Sequence, residues 1–333
     1  MRWFSPARLA TVGLFLLGAA AFALWLAPAN GYDLLLVDPA HPVDPVIRVP
    51  GEKQGGKPGP IYFVDVRERP ARLLERLVPW TRADGSDLVP APPIPQTLER
   101  RLGQLDMTDS QKIASVVALS HLGYKVHARS GGVTVLLVTK NAPAADVIRP
   151  GDVIVSVNGR KVASVLALRA ALAAKRPGAA VTLGFRRGGK VREATIKTVA
   201  DPQDEKRAII GVTASDDLTV ELPVSIKFDA GGVGGPSAGL AFALDILQEL
   251  GRNVAHGKKV AATGELALNG AVGPIGGVKQ KTLGAREAGV DVFLVPAGDN
   301  AREARRYAQD LPIVPVKNFQ QALQALATFA PKA

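Results

Sequence analysis

The spacing of apolar and polar positions divides the chain into stretches of different character. Residues 9–27 form a run of 19 without a charge. As a helix rising 1.5 Å per residue, such a run roughly matches the ~30 Å hydrocarbon core of a bilayer. Arg2 and Arg8 precede it and no Lys or Arg follows until Arg48, an asymmetry that places the N-terminus in the cytoplasm and everything after it outside. Ala27-Pro28-Ala29 offers small residues for signal-peptide cleavage, but the apolar core of a signal peptide is usually ~7–15 residues long. An uncleaved anchor is therefore expected. Extended, proline-punctuated segments follow, including 46–49 and 61–66, and then a Pro-rich loop at 90–95. Over 97–122 the apolar residues return at helical spacing, with Leu98, Leu102, Leu105, Ile113, Val116, Val117 and Leu119 as the stripe. Residues 126–200 alternate short β-rich runs with one helix at 165–175. Residues 201–330 read as mixed strands and helices, among them helices at 240–250 and 278–288, with a turn at Asn269-Gly270. No internal repeat or low-complexity tract is present.

Composition narrows the chemistry. At ~150 residues per domain, 333 residues suit about two globular domains. The chain contains no cysteine, which removes disulfides, thiol nucleophiles and cysteine metal sites together. The four histidines His41, His121, His127 and His256 form no HExxH and no helical ligand pair, so neither a metal nor any other cofactor is expected. The net charge of +11 is uneven: residues 126–200 hold 13 basic and 3 acidic residues, whereas 201–333 hold 14 and 15. A basic domain points to acidic polypeptide, nucleic acid or anionic lipid as partner. Phe185 is the only aromatic residue among those charges, so no nucleic-acid partner is expected.

Within 126–200, Gly131-Gly132-Val133 reads as a glycine turn leading into a strand to Val138, followed by Ala142-Pro143-Ala144 and by Ile148-Arg149-Pro150-Gly151-Asp152-Val153-Ile154, ending in Val157-Asn158-Gly159. This resembles a bacterial PDZ domain. The resemblance implies a β-rich module with helices that adds a peptide to a sheet edge, with backbone N–H groups of Gly131, Gly132 and Val133 receiving the peptide.

Downstream, the glycine-rich string 231–235 runs through Pro236, Ser237, Ala238 and Gly239 into a helix. A serine at a helix N-terminus lies beside free N–H groups and the positive dipole end, which suits a developing oxyanion; simple helix capping by Ser237 is the plain alternative. The string also fits G-x-S-x-G, but only His256 follows, too close for a triad partner on a distant loop. No serine is followed by S-x-x-K spacing. An activated serine would then need a base from farther along, and lysine is the usual substitute.

Gly235-Pro236-Ser237-Ala238-Gly239, then Thr263-Gly264-Glu265, then Pro274-Ile275-Gly276-Gly277-Val278-Lys279-Gln280-Lys281 resemble the proteolytic domain of the Lon family of serine proteases over roughly 205–330. With the anchor and the PDZ-like region, the whole chain resembles membrane-anchored, PDZ-containing Lon-like proteases of bacteria. The resemblance implies an α+β catalytic fold, Ser237 as nucleophile, Lys281 as general base and Thr263 hydrogen-bonded to the lysine. Gly235, Pro236 and Ala238 are the supporting or oxyanion positions. One departure is Gly234, where Lon enzymes carry an acidic residue before G-P-S. Another concerns ATP: Gly51 to Lys57 has the spacing of a phosphate loop, but Pro58 replaces the Ser/Thr that would hold Mg²⁺, so ATP-driven unfolding is not expected from this chain. Between the two lysines, helical geometry separates 279 and 281 by about 200°. Lys281 shares its face with Gly284, Ala285 and Ala288, whereas Lys279 shares one with Thr282, Leu283 and Arg286, a set suited to solvent.

The expectation is thus an anchor at 1–30, an extracytoplasmic region with a long helix at 31–125, a PDZ domain at 126–200 and a proteolytic domain at 201–333. The activity expected is that of a serine endopeptidase in the cell membrane, acting outside the cytoplasm on protein and peptide substrates of the membrane or envelope. Residues 9–27 would contact the bilayer, and assembly of several copies is left open. A PDZ adaptor with an inactive protease domain and a serine esterase are the alternatives.

Overall fold

The structure, a computed structural model, describes residues 6–49, 59–92, 94–202 and 204–328, with side chains described from residue 10 onward. The phosphate-loop-like segment 51–58 and Arg2 lie outside the described residues, as does the side chain of Arg8. The chain divides into two compact units, residues 1–37 with 66–93, and residues 38–65 with 94–333.

In the first unit, helix α1 (Pro6–Leu26) is followed by the strand Pro28–Val37, which sits between the antiparallel strands Val66–Arg72 and Asp87–Pro90. Helix α2 (Leu73–Leu77) begins with its Leu73 N–H bonded to Ala27 O at 2.8 Å. A small core of Ala29, Leu34 and Ala71 holds the unit together. Glu75 is buried because Arg69 donates to it at 2.6 Å, and that guanidinium holds its carboxyl below the ordinary value. Along α1, Val12, Leu14, Phe15, Leu16, Leu17 and Phe22 are exposed. No helix among the described residues is long and apolar enough to cross a membrane, and Leu9 of the predicted run lies outside the described side chains. The predicted transmembrane span is therefore not shown by the helix as described.

Among the described residues the second unit holds two large sheets and three two-stranded ones. In the first, Ile61–Phe63, Val260–Ala262, Val292–Pro296 and Ile313–Val316 run parallel, with His41–Pro42 antiparallel at the edge. Parallel strands buried on both faces read as continuous apolar runs, which is what Val260-Ala261-Ala262 and Val292 to Val295 are. One face carries α3 (Gln96–His121), α5 (Gly239–Glu249) and α8 (Phe319–Ala327) around Phe242, Leu244 and Leu294; the other carries α6 (Val278–Glu287) and α7 (Asp299–Tyr307) around Phe293, Ala285 and Ala304. The second sheet has the order Lys190–Lys197, Ala180–Arg187, Val153–Val157, His127–Val138, Val212–Glu221, and closes on α4 (Val165–Ala173) over Val133, Ile154, Leu168 and Leu183.

Two expectations change here. The predicted boundaries at 125 and 200 cut through packed structure. The strand Ile61–Phe63 pairs with Val260–Ala262, and α3 packs on α5, so parts of 31–125 belong to the catalytic layers. The strand Val212–Glu221, placed in the proteolytic region by sequence, completes the second sheet against His127–Val138. The stripe predicted for α3 is also off at one point. Leu105 is exposed, while Met107 and Ser110 are buried, because the first half of the helix faces the loop that carries Ser237 rather than an apolar layer.

Candidate active site

Ser237 immediately precedes Ala238, the N-cap of α5, whose residues 239–248 are all buried. The side chain at the cap makes no capping bond. The Ser237 hydroxyl instead lies 2.8 Å from Lys281 Nζ, so helix capping does not account for this serine. Four hydrogen bonds fix the loop. Gly264 N–H and the Thr263 hydroxyl both donate to Ser237 O, at 2.8 and 3.1 Å. From α3, Gly103 O accepts the Gly235 N–H at 2.8 Å, and the buried Ser110 hydroxyl donates to Pro236 O at 3.1 Å. The tight position is on the loop side: a Cβ on Gly234 would meet Gly103 Cα at 3.2 Å, closer than ordinary contact.

These bonds reassign the predicted supporting residues. Thr263 grips the serine backbone rather than the lysine. The N–H of Gly235 is spent on Gly103, and Pro236 has no N–H to offer, so neither is a free oxyanion donor. The N–H groups of Ser237 and Ala238 carry no backbone hydrogen bond among the described residues and lie at the positive end of α5.

Lys281 is 5% exposed. Burial lowers its pKa from 10.5 to about 8, while the nearby charge of Asp65 pulls the other way. Its helix α6 comes unusually close to its neighbour: Gly284 O accepts from Ala40 N at 3.1 Å, and a Cβ on Gly284 would lie 1.9 Å from Asp38 O. The predicted division of faces holds for Lys281, Gly284 and Ala285, all buried. It fails for Thr282, which is fully buried because its hydroxyl donates to Val278 O within the helix. Lys279 lies partly exposed with Nζ 5.8 Å from the centre of the Tyr307 ring.

Beside the lysine, Asp38, His41 and Asp65 bring their donor atoms within 4.8 Å of one another. His41 Nε2 is 3.6 Å from both Asp38 Oδ2 and Asp65 Oδ1, so the ring itself bridges the two carboxylates. Sequence reading missed Asp65, Gly103 and Ser110. The signals were faint: an acid closing the apolar run 61–64, and a glycine inside a helix.

Gly131, Gly132 and Val133 do not form a turn. They lie within the interior strand His127–Val138, where Val133 pairs with Asp216 on one side and Ile154 on the other. A Cβ on Gly132 would meet Ile154 O at 2.5 Å. Val212–Glu221 is one edge of the sheet, Lys190–Lys197 being the other; there Asp216 accepts the Val165 N–H at 2.6 Å, tying the strand to the start of α4. That helix also reaches the catalytic region, with Arg169 paired to Glu265 at 3.1 Å and Leu166 against Gly273.

Residues 120–198 match the family model of the PDZ domain, and residues 192–328 match that of the Lon protease (S16) C-terminal proteolytic domain. Among curated proteins, the chain is 33% identical over 123 residues to Lon protease 2 of Bacillus subtilis, covering 37% of this chain and 21% of that protein. It is 41% identical over 106 residues to the Lon protease of Roseiflexus castenholzii, covering 30% and 13%. The chain thus spans about a fifth or less of the length of these relatives. Among solved structures, the PDZ domain of an SdrC-like protein from Listeria monocytogenes is 31% identical, with 26% of this chain and 90% of that chain covered and a TM-score of 0.24. Mixed α+β architecture, a PDZ match and a Lon proteolytic-domain match together support a serine protease.

Proposed function

We propose that the chain is a serine endopeptidase that cleaves protein substrates through a Ser237–Lys281 dyad. The observation that carries this reading is a buried lysine, its pKa brought to about 8, with Nζ 2.8 Å from a partly exposed serine hydroxyl at a helix N-terminus. Neutral Lys281 accepts the hydroxyl proton as Ser237 Oγ attacks the peptide carbonyl. The Ser237 and Ala238 N–H groups receive the oxyanion. The lysine then passes its proton to the departing amine, and a water activated by the same lysine hydrolyses the acyl-enzyme.

The edge strand Val212–Glu221 offers backbone donors and acceptors beside α4, which suits addition of a substrate segment as a further strand. A peptide added there would lie on the strand that leads, through 222–236, to Ser237. We further propose anchoring in the cell membrane through residues 9–27 with the catalytic unit outside. Exposed Leu14, Phe15, Leu17 and Phe22 on α1, and the arginines before it, support this. Membrane or envelope proteins are then the substrates within reach.

The test uses the full-length protein on casein. Ser237→Ala and Lys281→Ala each abolish hydrolysis, whereas Lys279→Ala retains most of it. Wild-type protein that cleaves a short ester but not casein would favour an esterase, and failure to react with a fluorophosphonate probe would favour an inactive adaptor.

A further inference from the structure

Asp65 follows the strand Ile61–Phe63, which lies parallel to Val260–Ala262, the strand that delivers Thr263. The carboxyl is therefore carried to the same end of the sheet as the dyad. Its Oδ1 is fully buried and accepts no hydrogen bond, and burial raises the pKa of Asp65 above its ordinary 3.8. Three titratable neighbours act on it. His41, 3.6 Å away, and Lys281 favour the ionised form, whereas Asp38 opposes it. The effect is mutual, for Asp65 is the charge that pushes the Lys281 pKa upward. No ion pair joins the two directly among the described residues.

This placement answers a need of the dyad. When Ser237 attacks, its O–H bond breaks and the proton bonds to the Nζ lone pair, leaving an ammonium inside the protein. The one hydrogen-bond partner of that nitrogen among the described residues is Ser237 Oγ, which by then is bonding to the substrate carbon. A buried cation without a counter-charge is costly. We propose that Asp65 is a positioning residue of the dyad: its carboxylate, beside His41 and Lys281, supplies the negative charge against which the Lys281 ammonium is stabilised as it forms. This rests on the dyad reading above. Asp65 touches neither substrate nor the reacting oxygen; it works through the lysine.

The charge has opposite effects on the two states of the lysine, and that separates this role from a structural one. Removing it makes Lys281 easier to deprotonate, so the acidic limb of the rate profile moves down in pH. It also strips the ammonium of its stabilisation, so the plateau falls. The experiment measures casein hydrolysis by full-length wild type, Asp65→Asn and Asp65→Glu between about pH 6 and 10. Asp65→Asn should lower the plateau kcat about tenfold with KM little changed, and move the acidic limb down by about half to one pH unit. Asp65→Glu should recover part of both. Asp65→Ser, also neutral, gives the same reading should the asparagine variant not fold. A folded neutral variant whose limb stays at the wild-type pH, or rises, overturns the proposal even if its rate is lower. Lys281→Ala is run beside them: if it still cleaves casein, the dyad itself has failed, whereas an inactive Lys281→Ala beside an unmoved Asp65→Asn limb rejects only the role of Asp65.

Discussion

A single added methyl at Gly284 tests how tightly the lysine helix is held. In Gly284→Ala the new Cβ would stand 1.9 Å from Asp38 O and 3.0 Å from Asp38 C, both backbone atoms. Ordinary contact begins near 3.4 Å, so the helix and the 38–40 segment must part by about 1.5 Å, or the helix must rotate. The Ala40 N–H to Gly284 O bond stretches with them. Overpacking of this kind costs about 1–3 kcal/mol, which lowers Tm by roughly 2–12 °C for a unit of this size. The catalytic effect should exceed the loss of stability, because the displaced elements carry Lys281 on one side and Asp38 and His41 on the other. A shift of about 1 Å can cost on the order of 100-fold in rate. Gly276→Ala is the control, since a Cβ there meets nothing within 4 Å. Differential scanning calorimetry and casein hydrolysis on both variants decide the matter. A Gly284→Ala protein that melts and cleaves like Gly276→Ala would refute the close packing from which the argument starts.

Further expectations concern groups elsewhere in the unit. Lys281→Met should be inactive yet more stable at neutral pH by about 3 kcal/mol, because it removes a buried base whose pKa is lowered from 10.5 to about 8. The sign follows from linkage: between those pH values the unfolded lysine binds more proton than the folded one, so wild-type stability rises with pH across that window and the methionine variant's does not. Asp245, buried in α5 with Oδ2 unbonded, has its pKa raised from 3.8 to about 8 by burial. The folded state there holds the extra proton, so wild-type stability falls as pH rises from about 4 to 8. Asp245→Asn should remove that slope in urea titrations, and an unchanged slope would count against it. Thr263→Val leaves Gly264 N–H as the remaining donor to Ser237 O; kcat should drop by about 3- to 10-fold, with little change in KM.

What the sequence disclosed was local. The helices expected at 97–122, 240–250 and 278–288 appear as Gln96–His121, Gly239–Glu249 and Val278–Glu287, because apolar spacing and a following glycine are short-range signals. Ser237 and Lys281, named through a resemblance, lie within hydrogen-bond distance. What stayed hidden depends on contacts distant in sequence. The use of the Gly235 N–H is decided by Gly103, and the role of Thr263 by which carbonyl its hydroxyl reaches. The place of Gly131-Gly132 inside a strand was hidden because the pair looks like a turn until Val212–Glu221 pairs alongside it. Asp65 carries no motif, and only the parallel pairing of its strand brings it near the lysine.

That pairing also constrains how the molecule is made. The strand Ile61–Phe63 emerges from the ribosome early, yet its partner Val260–Ala262 lies about 200 residues later, and the whole of the PDZ-like sheet is synthesised between them. Contacts of such sequence separation pay a large loop-closure cost and form slowly. The first strand can pair early with His41–Pro42, but its side toward Val260–Ala262, and the contacts of α3 with the nucleophile loop, must wait until those later segments have been translated. If the proposed dyad carries the activity, a chain that ends before α6 should be proteolytically silent, since it lacks Lys281.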